Sequence, residues 1–405
     1  MSTRRAISAS VALLIANAAF AVAQTESPTE LRIPLGTGVS VTPAVYYFAG
    51  YDTNLIRTST GGPGQENYFA PQIEGWLDRG RAHVNFQNAV SYQTGGGTST
   101  WNHFNSVQFH TEGGLFGVSG VASHRNHYAP PTDFVGFELG IRSRRIENTF
   151  EGDFHVQPVG HRFSATLTAK RLGLRYDADQ RFRTSSLQFN LNRDTTIWST
   201  KVGWAATPLT SFTASVDFTD DKFLFVRGND GRGRTAMFGL QTKPLGMLTA
   251  MAQVGQLTYT DLNGHSATVP TFDVTTALSR GQSVLTINGS RNITFSFNAG
   301  TGFYVQTGVD SYLSLKLGES FEPFFRHKWR RLQPRNPIAS DEAFNGLQQI
   351  KAGIAYRLGQ IRIGPSIEKY SYNGPGGFAG WRGVVFFTFG SDRIVRMDRP
   401  LLDEW

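Results

Sequence analysis

The residues best placed to do chemistry gather between 142 and 157. Arg145, Glu147, Glu151, Asp153 and His155 are all separated by even numbers of residues, so an extended chain puts all five on one face. Ile146, Phe150, Phe154 and Val156 then fall on the other. A row of mixed charge on a watery wall can order a solute or form a constriction. It can equally pair with Lys170 and other basic residues on neighbouring strands. Three further groups invite chemical readings. His124 and His127 lie three apart, with Asp133 nearby, in a stretch from Ser123 to Val135 that reads as a loop. With neither a helix nor a third fixed ligand, a solvated loop is expected there and no metal is assigned. Asn229-Asp230-Gly231 reads as a turn tip, because the remaining carboxylates of a calcium loop are missing. His103 and Asn105 face outward on one strand, as in a lipid-side hydrolase. No Gly-x-Ser-x-Gly elbow is present, however, and no serine matches His103 by spacing. No Walker loop, zinc helix motif or dinucleotide fingerprint occurs. Neither enzymatic activity nor a cofactor is expected.

The elements that must position these residues are strands. Phe163, Ala165, Leu167 and Ala169 interleave with Ser164, Thr166, Thr168 and Lys170. Phe212, Ala214, Val216 and Phe218 interleave with Thr213, Ser215, Asp217 and Thr219. Period two sends successive side chains to opposite faces. The pattern recurs near 38–51, 66–77, 81–93, 100–112, 115–124, 142–157, 160–176, 191–206, 209–224, 234–244, 247–260, 269–279, 282–295, 302–317, 320–332, 345–358, 360–372 and 379–390. The expectation is an all-β, transmembrane antiparallel barrel of about eighteen strands, with sixteen as the alternative.

Tight-turn chemistry separates alternate pairs of strands, as in Asp78-Arg79-Gly80, Glu112-Gly113-Gly114, Pro158-Val159-Gly160, Arg280-Gly281 and Leu358-Gly359-Gln360. The other connections, such as 59–66, 95–99, 123–135, 228–233, 334–344 and 373–378, are polar and rich in Gly, Asn and Pro. Short turns are expected to face the periplasm and long loops the outside. Val84, Phe86, Val90 and Tyr92 form one lipid-facing set. Trp198, Val202 and Trp204 form a second, Ile350, Ala352, Ile354 and Tyr356 a third, and Val385, Phe387 and Phe389 a fourth. Their partners, His83, Asn85, Gln87, Ser91, Lys201, Gln349, Lys351, Arg357 and Arg382, point inward. With Arg145, Glu147, Glu151, Asp153, His155 and Lys170, the inward charges are the candidate lumen and constriction residues. An interior this polar and this wide would hold water unless loops fold in.

Composition agrees. The chain has 405 residues, 40% of them hydrophobic, with 44 glycines and 31 phenylalanines. No run of about 18 apolar residues follows the leader, so no helical span is expected. Absence of cysteine excludes disulfides, thiolate chemistry and an N-terminal lipid anchor on cysteine. Residues 1–23 read as a signal peptide: Arg4 and Arg5, an apolar core from Val11 to Phe20, then Ala21-Val22-Ala23. Residues 24–37 are expected to be periplasmic, 38–390 the barrel, and 391–405 a periplasmic tail. Removing Arg4 and Arg5 leaves 37 basic against 31 acidic residues, a formal +6, too mild to point to nucleic acid.

The stretch Gly50-Tyr51-Asp52-Thr53-Asn54-Leu55-Ile56-Arg57-Thr58 resembles the opening of outer-membrane β-barrel porins linked to exopolysaccharide gene clusters. Leu191-Asn192-Arg193, Val202-Gly203-Trp204, Thr207-Pro208-Leu209-Thr210-Ser211 and Asp221-Lys222-Phe223 are similar to that family's central strand-turn-strand, and Tyr356-Arg357-Leu358-Gly359 to its closing turn. The resemblance implies an envelope barrel serving polysaccharide passage, with no catalytic residues to transfer; the tail beyond Phe389 departs from it. Three functions follow as expectations: a passive outer-membrane channel for small hydrophilic solutes or glycan, an exopolysaccharide export or assembly component with periplasmic partners, and, least supported, a lipid-side hydrolase. The expected partners are outer-membrane lipid, barrel assembly machinery and polysaccharide or small polar solutes.

Overall fold

The computed structural model describes residues 32–55, 61–95, 98–111, 115–129, 143–158, 162–182, 185–242, 248–262, 264, 266–280, 283–295, 303–334, 345–373 and 377–390. Residues 1–31, Asp133 and residues 391–405 lie outside them. A short strand, Ile33–Gly36 (β1), precedes Val39–Asp52 (β2), Gly64–Arg79 (β3), Ala82–Gly95 (β4), Thr98–Thr111 (β5), Phe116–Ala129 (β6), Ser143–Val156 (β7) and Phe163–Tyr176 (β8). A two-stranded ribbon, Arg181–Phe182 (β9) with Ser185–Ser186 (β10), and a one-turn helix, Leu187–Leu191 (α1), occupy the next connection. Then come Arg193–Ala205 (β11), Thr210–Phe223 (β12), Gly231–Thr242 (β13), Leu248–Asp261 (β14), Ser266–Arg280 (β15), Ser283–Phe295 (β16), Phe303–Ser314 (β17), Phe321–Pro334 (β18), Asn345–Leu358 (β19), Ile361–Asn373 (β20) and Phe378–Phe389 (β21).

Each long strand pairs antiparallel with the next, and β2 closes on β21 from Val45↔Phe389 to Asp52↔Arg382. The result is a closed barrel of eighteen antiparallel strands. Closure matters energetically because an open sheet leaves a row of unpaired N–H and C=O groups at each edge. One stretch of β2 extends past the end of β21, and β1 covers it with the pairs Ile33↔Val41 and Pro34↔Ser40.

Two of the tight turns show why glycine is required. Gly80 and Gly359 begin two-residue hairpin loops with φ of 62° and 58°, a backbone region closed to most side chains. These turns lie at one rim, hereafter the short-turn rim. At the other rim the expectations need four corrections. Of the 59–66 segment, residues 64–66 belong to β3, whose ladder with β2 runs to Asp52↔Gly64. The 95–99 segment is not a long loop, because Gly95 pairs directly with Thr98. Residues 123–129 belong to β6, whose ladder with β7 runs on to Ala129↔Ser143. Strand β13 begins at Gly231, so 231–233 are strand; Arg227–Asn229 form a single 3-10 turn before it.

The wall is interrupted at two places. β5 and β6 pair only as far as His103↔Asn126, although β5 goes on pairing with β4 to Gly95↔Thr98 and β6 with β7 to Ala129↔Ser143. β15 and β16 pair only as far as Asp273↔Ser290, although β16 continues pairing with β17 up to Phe295↔Phe303. Above Asp273 the β16–β17 edge leaves its neighbour.

Candidate functional site

Strand registers sort the side chains to two sides. Outside stand Phe163 and Trp198, each more than 60% exposed, with Phe218, Phe238, Val254 and Val385. Inside stands a layer of interlocked polar groups. All ten charged candidates (Arg145, Glu147, Glu151, Asp153, His155, Lys170, Lys201, Lys351, Arg357 and Arg382) occupy inward positions.

On β7 the charges pair. Glu147 receives Arg145 Nε at 2.7 Å, with Arg125 at 3.8 Å and His127 at 3.6 Å. Glu151 faces Lys170 across the β7–β8 ladder at 4.0 Å. Asp153 accepts hydrogen bonds from Ser119 Oγ at 3.0 Å and Thr168 Oγ1 at 2.5 Å, and His155 meets Thr166 at 2.9 Å. The strand is therefore an ion-paired wall. Arg125, Arg145 and Lys170 offset Glu147, Glu151 and Asp153, so the wall presents a patterned field to the interior without a large net charge.

A second network spans the closure seam. Arg382 on β21 bonds Glu66 on β3 through Nε and lies 3.5 Å from Glu368 on β20, with its guanidinium 4.6 Å from the Phe48 ring centre. All three charged side chains are buried. In the same cross-strand row lie Arg326, Lys351, Glu368, Arg382 and Asp52. Arg326 pairs with Asp310 through two nitrogens. At the short-turn rim Arg357 and Arg362 both hold Glu322, at 3.2 and 2.8 Å.

The Gly50–Leu55 motif is the latch of this seam. The Asp52 carboxylate accepts Asn54 N–H at 2.8 Å, forming a tight side-chain turn, and also accepts Tyr370 O–H from β20. Tyr370 reaches the Asn54 carbonyl at 3.1 Å as well. Thr53 exchanges hydrogen bonds with Trp381 at 2.9 and 2.8 Å, extending the β2–β21 ladder beyond its last strand pair.

The third feature is the interruption between β15 and β16. Lys201 lies in the field of Asp217 and Asp273 and donates to Gln241 at 3.4 Å. Just above, Thr271 Oγ1 on the inner face of β15 donates to the Arg291 carbonyl of β16 at 2.5 Å. Val305 forms one apolar cluster with Phe223, Leu257, Tyr259 and Val269, all inward on β12, β14 and β15, and Ile293 packs against it. Ile293 and Val305 fall on the outward rows of their strands. They meet an inner wall only because the β16–β17 edge is tucked inside the barrel. On the other face of that edge, Tyr304 packs with Leu332, Leu347, Tyr370, Tyr372 and Phe378. The tucked edge thus stands between two walls and narrows the long-loop end.

The histidines resolve differently from the loop expected. His124 faces outward and His127 inward, so strand geometry separates the pair. His124 instead meets His103 at 3.0 Å and Asn148 at 2.7 Å on the outer wall. The outward positions beside His103 are Trp101, Asn105, Val90 and Asn126, none a nucleophile for acyl transfer. Among the described residues no group of three metal-ligating side chains converges.

Sequence reasoning did not single out Glu66, Glu368, Arg326, Asp310, Glu322 or Asp273. Each sits at an inward position of a strand that was recognised, so the period-two signal was available. Their pairings span distant segments and carry no local mark.

No protein-family model matches the sequence, and no curated protein matches it. Solved structures share the architecture at low identity. A BenF-like porin from Pseudomonas fluorescens Pf-5 is 10% identical, covering 88% of this chain and 100% of its own, with a TM-score of 0.48. OpdQ from Pseudomonas aeruginosa is 9% identical, covering 86% and 98%, at 0.46. The siderophore receptor PirA from Acinetobacter baumannii is 9% identical, covering 86% and 80%, at 0.42. These are likenesses of fold, and the functional argument rests on the barrel itself.

Proposed function

We propose that this chain is an outer-membrane channel that passes small polar solutes by diffusion through a charge-patterned interior. The observation that carries it is the two-sided sorting of a closed wall: an apolar, aromatic exterior fit for lipid and an interior of paired charges fit for water. Short turns then face the periplasm and long loops the outside. The inner faces of β7, β8 and β11, where Asp153, His155, Thr166 and Ser199 remain partly exposed, are the solute path. The tucked β16–β17 edge is the constriction. No chemistry is required of the protein: selection follows from the width beside that edge and the field of the wall. Purified protein in planar bilayers should give discrete conductance steps, and liposomes should swell in small sugars. Failure of both overturns the channel.

A second reading takes the barrel as an exopolysaccharide export or assembly component with periplasmic partners. It is favoured by the dense packing of Tyr46, Phe48, Tyr68, Phe386 and Tyr370 on the inner wall, which suits a barrel filled in isolation. Loss of surface glycan with unchanged solute uptake in a deletion strain is its signature.

A further inference from the structure

Four adjacent strands change character at one level of the outer wall. From the short-turn rim, the outward rows read Phe163, Ala165, Leu167, Ala169 on β8 and Trp204, Val202, Thr200, Trp198 on β11. They read Phe212, Ala214, Val216, Phe218 on β12 and Leu240, Phe238, Ala236 on β13. Ala169, Trp198, Phe218 and Arg234 are cross-strand partners, and so mark one line around the barrel. Beyond it the same rows become Arg171 and Arg175, Thr196 and Asp194, Asp220 and Lys222, and Arg232. Aromatic rings at the edge of an apolar band, followed at once by charge, mark where hydrocarbon gives way to headgroups.

The charges past that line do not balance. Arg175 holds Asp194 at 2.5 Å and Arg171 reaches the same carboxylate at 3.0 Å. Asp220 lies 3.2 Å from Lys222 and 3.5 Å from Arg232. Arg234 lies over the Phe218 ring. Past the line four cations thus share two carboxylates, and Arg234 adds a fifth positive charge at the line itself. Arg171, Lys222 and Arg232 are each more than 60% exposed at the side chain, so their donors reach outward.

We propose that this face of β8 and β11–β13 binds the phosphate groups of an anionic lipid in the outer leaflet, the apolar row below it lying against the acyl chains. Guanidinium groups suit the role because they hold phosphate oxygens through two parallel hydrogen bonds. The proposal rests on the membrane placement given above.

The test uses folded protein in a neutral detergent, with short-chain phosphatidic acid, short-chain phosphatidylcholine and inorganic phosphate as probes, read by native mass spectrometry. Phosphatidic acid should remain bound, phosphatidylcholine should not, and inorganic phosphate should not displace it. The triple variant Arg171→Gln/Arg232→Gln/Arg234→Gln should bind phosphatidic acid at least about tenfold more weakly, since each surface cation adds a comparable increment to lipid attraction. Replacing the same three arginines by lysine should recover most of the loss, which separates charge from damage to the fold. Equal binding by the glutamine variant, equal binding of phosphatidylcholine, or displacement by inorganic phosphate overturns the proposal. Bilayer conductance on the same preparations keeps the two readings apart: conducting barrels without lipid preference sink only this inference, and lipid-selective barrels without conductance sink only the channel.

Discussion

Arg382→Met isolates the charge at the closure seam. Methionine keeps an unbranched apolar stem against Phe48 while removing the guanidinium from Glu66 and Glu368. Those carboxylates are 3% and 7% exposed at the side chain, so water cannot replace the lost partner. Breaking a buried pair from one side costs about 3–5 kcal/mol, because the orphaned charge remains. The lost cation–ring contact adds about 1 kcal/mol. A destabilisation of about 5 kcal/mol is expected, measured by urea unfolding in detergent micelles with tryptophan fluorescence. Since the pair is shielded from solvent, the difference should persist as salt is raised from about 0.1 M to about 1 M. Neutralising the stranded groups, in Arg382→Met/Glu66→Gln/Glu368→Gln, should recover much of the loss, whereas a surface pair would show almost no effect at any step. If Arg382→Met unfolds within about 0.5 kcal/mol of the parent, the seam network is not what holds this junction.

Other substitutions probe the remaining features. Tyr370→Phe removes the hydroxyl shared by Asp52 and Asn54 and should cost about 1–3 kcal/mol in the same unfolding assay, leaving secondary structure unchanged by circular dichroism. Val305→Asp places a carboxylate in the apolar cluster of the tucked edge; single-channel conductance should rise as that edge is released, and an unchanged step size would remove it as the constriction. Val216→Arg, on the apolar outer band, should destabilise the barrel in lipid by about 2–4 kcal/mol. Thr196→Arg, past the aromatic line, should cost less than about 1 kcal/mol; equal costs would contradict the membrane placement. Glu151→Gln leaves Lys170 unmatched on the interior wall and should shift the reversal potential towards anion preference in a low-salt gradient, an effect that fades as salt screens the wall.

The strand count and the side to which most residues point were legible because alternation is a local property. Val84 and Phe86, Trp198 and Trp204, and Ile350 and Ile354 have outward rows distinct enough to fix the face, and one residue of slip would reverse every one. β6 is the counter-example. From Ser119 to His127 both faces carry polar groups, so the period loses contrast and the stretch holding His124 and His127 reads as loop. Ile293 and Val305 show a different limit. Alternation gives the correct row for each, but cannot show that another strand lies behind it instead of lipid. The ionic seam was invisible for a third reason: Arg382 and Glu66 are 316 positions apart. At that separation only the closed topology brings them together.

That separation also imposes an order in time. Tyr370 cannot meet Asp52, nor Arg382 meet Glu66, until the C-terminal hairpin β20–β21 has been delivered to the first strands. A chain halted before residue 370 has its N-terminal pairings but an unsealed sheet, with both margins offering backbone groups to any passing strand. Completion is thus an all-or-nothing event reported by two contacts, and a barrel lacking its last hairpin keeps two open edges instead of forming a smaller closed version of itself.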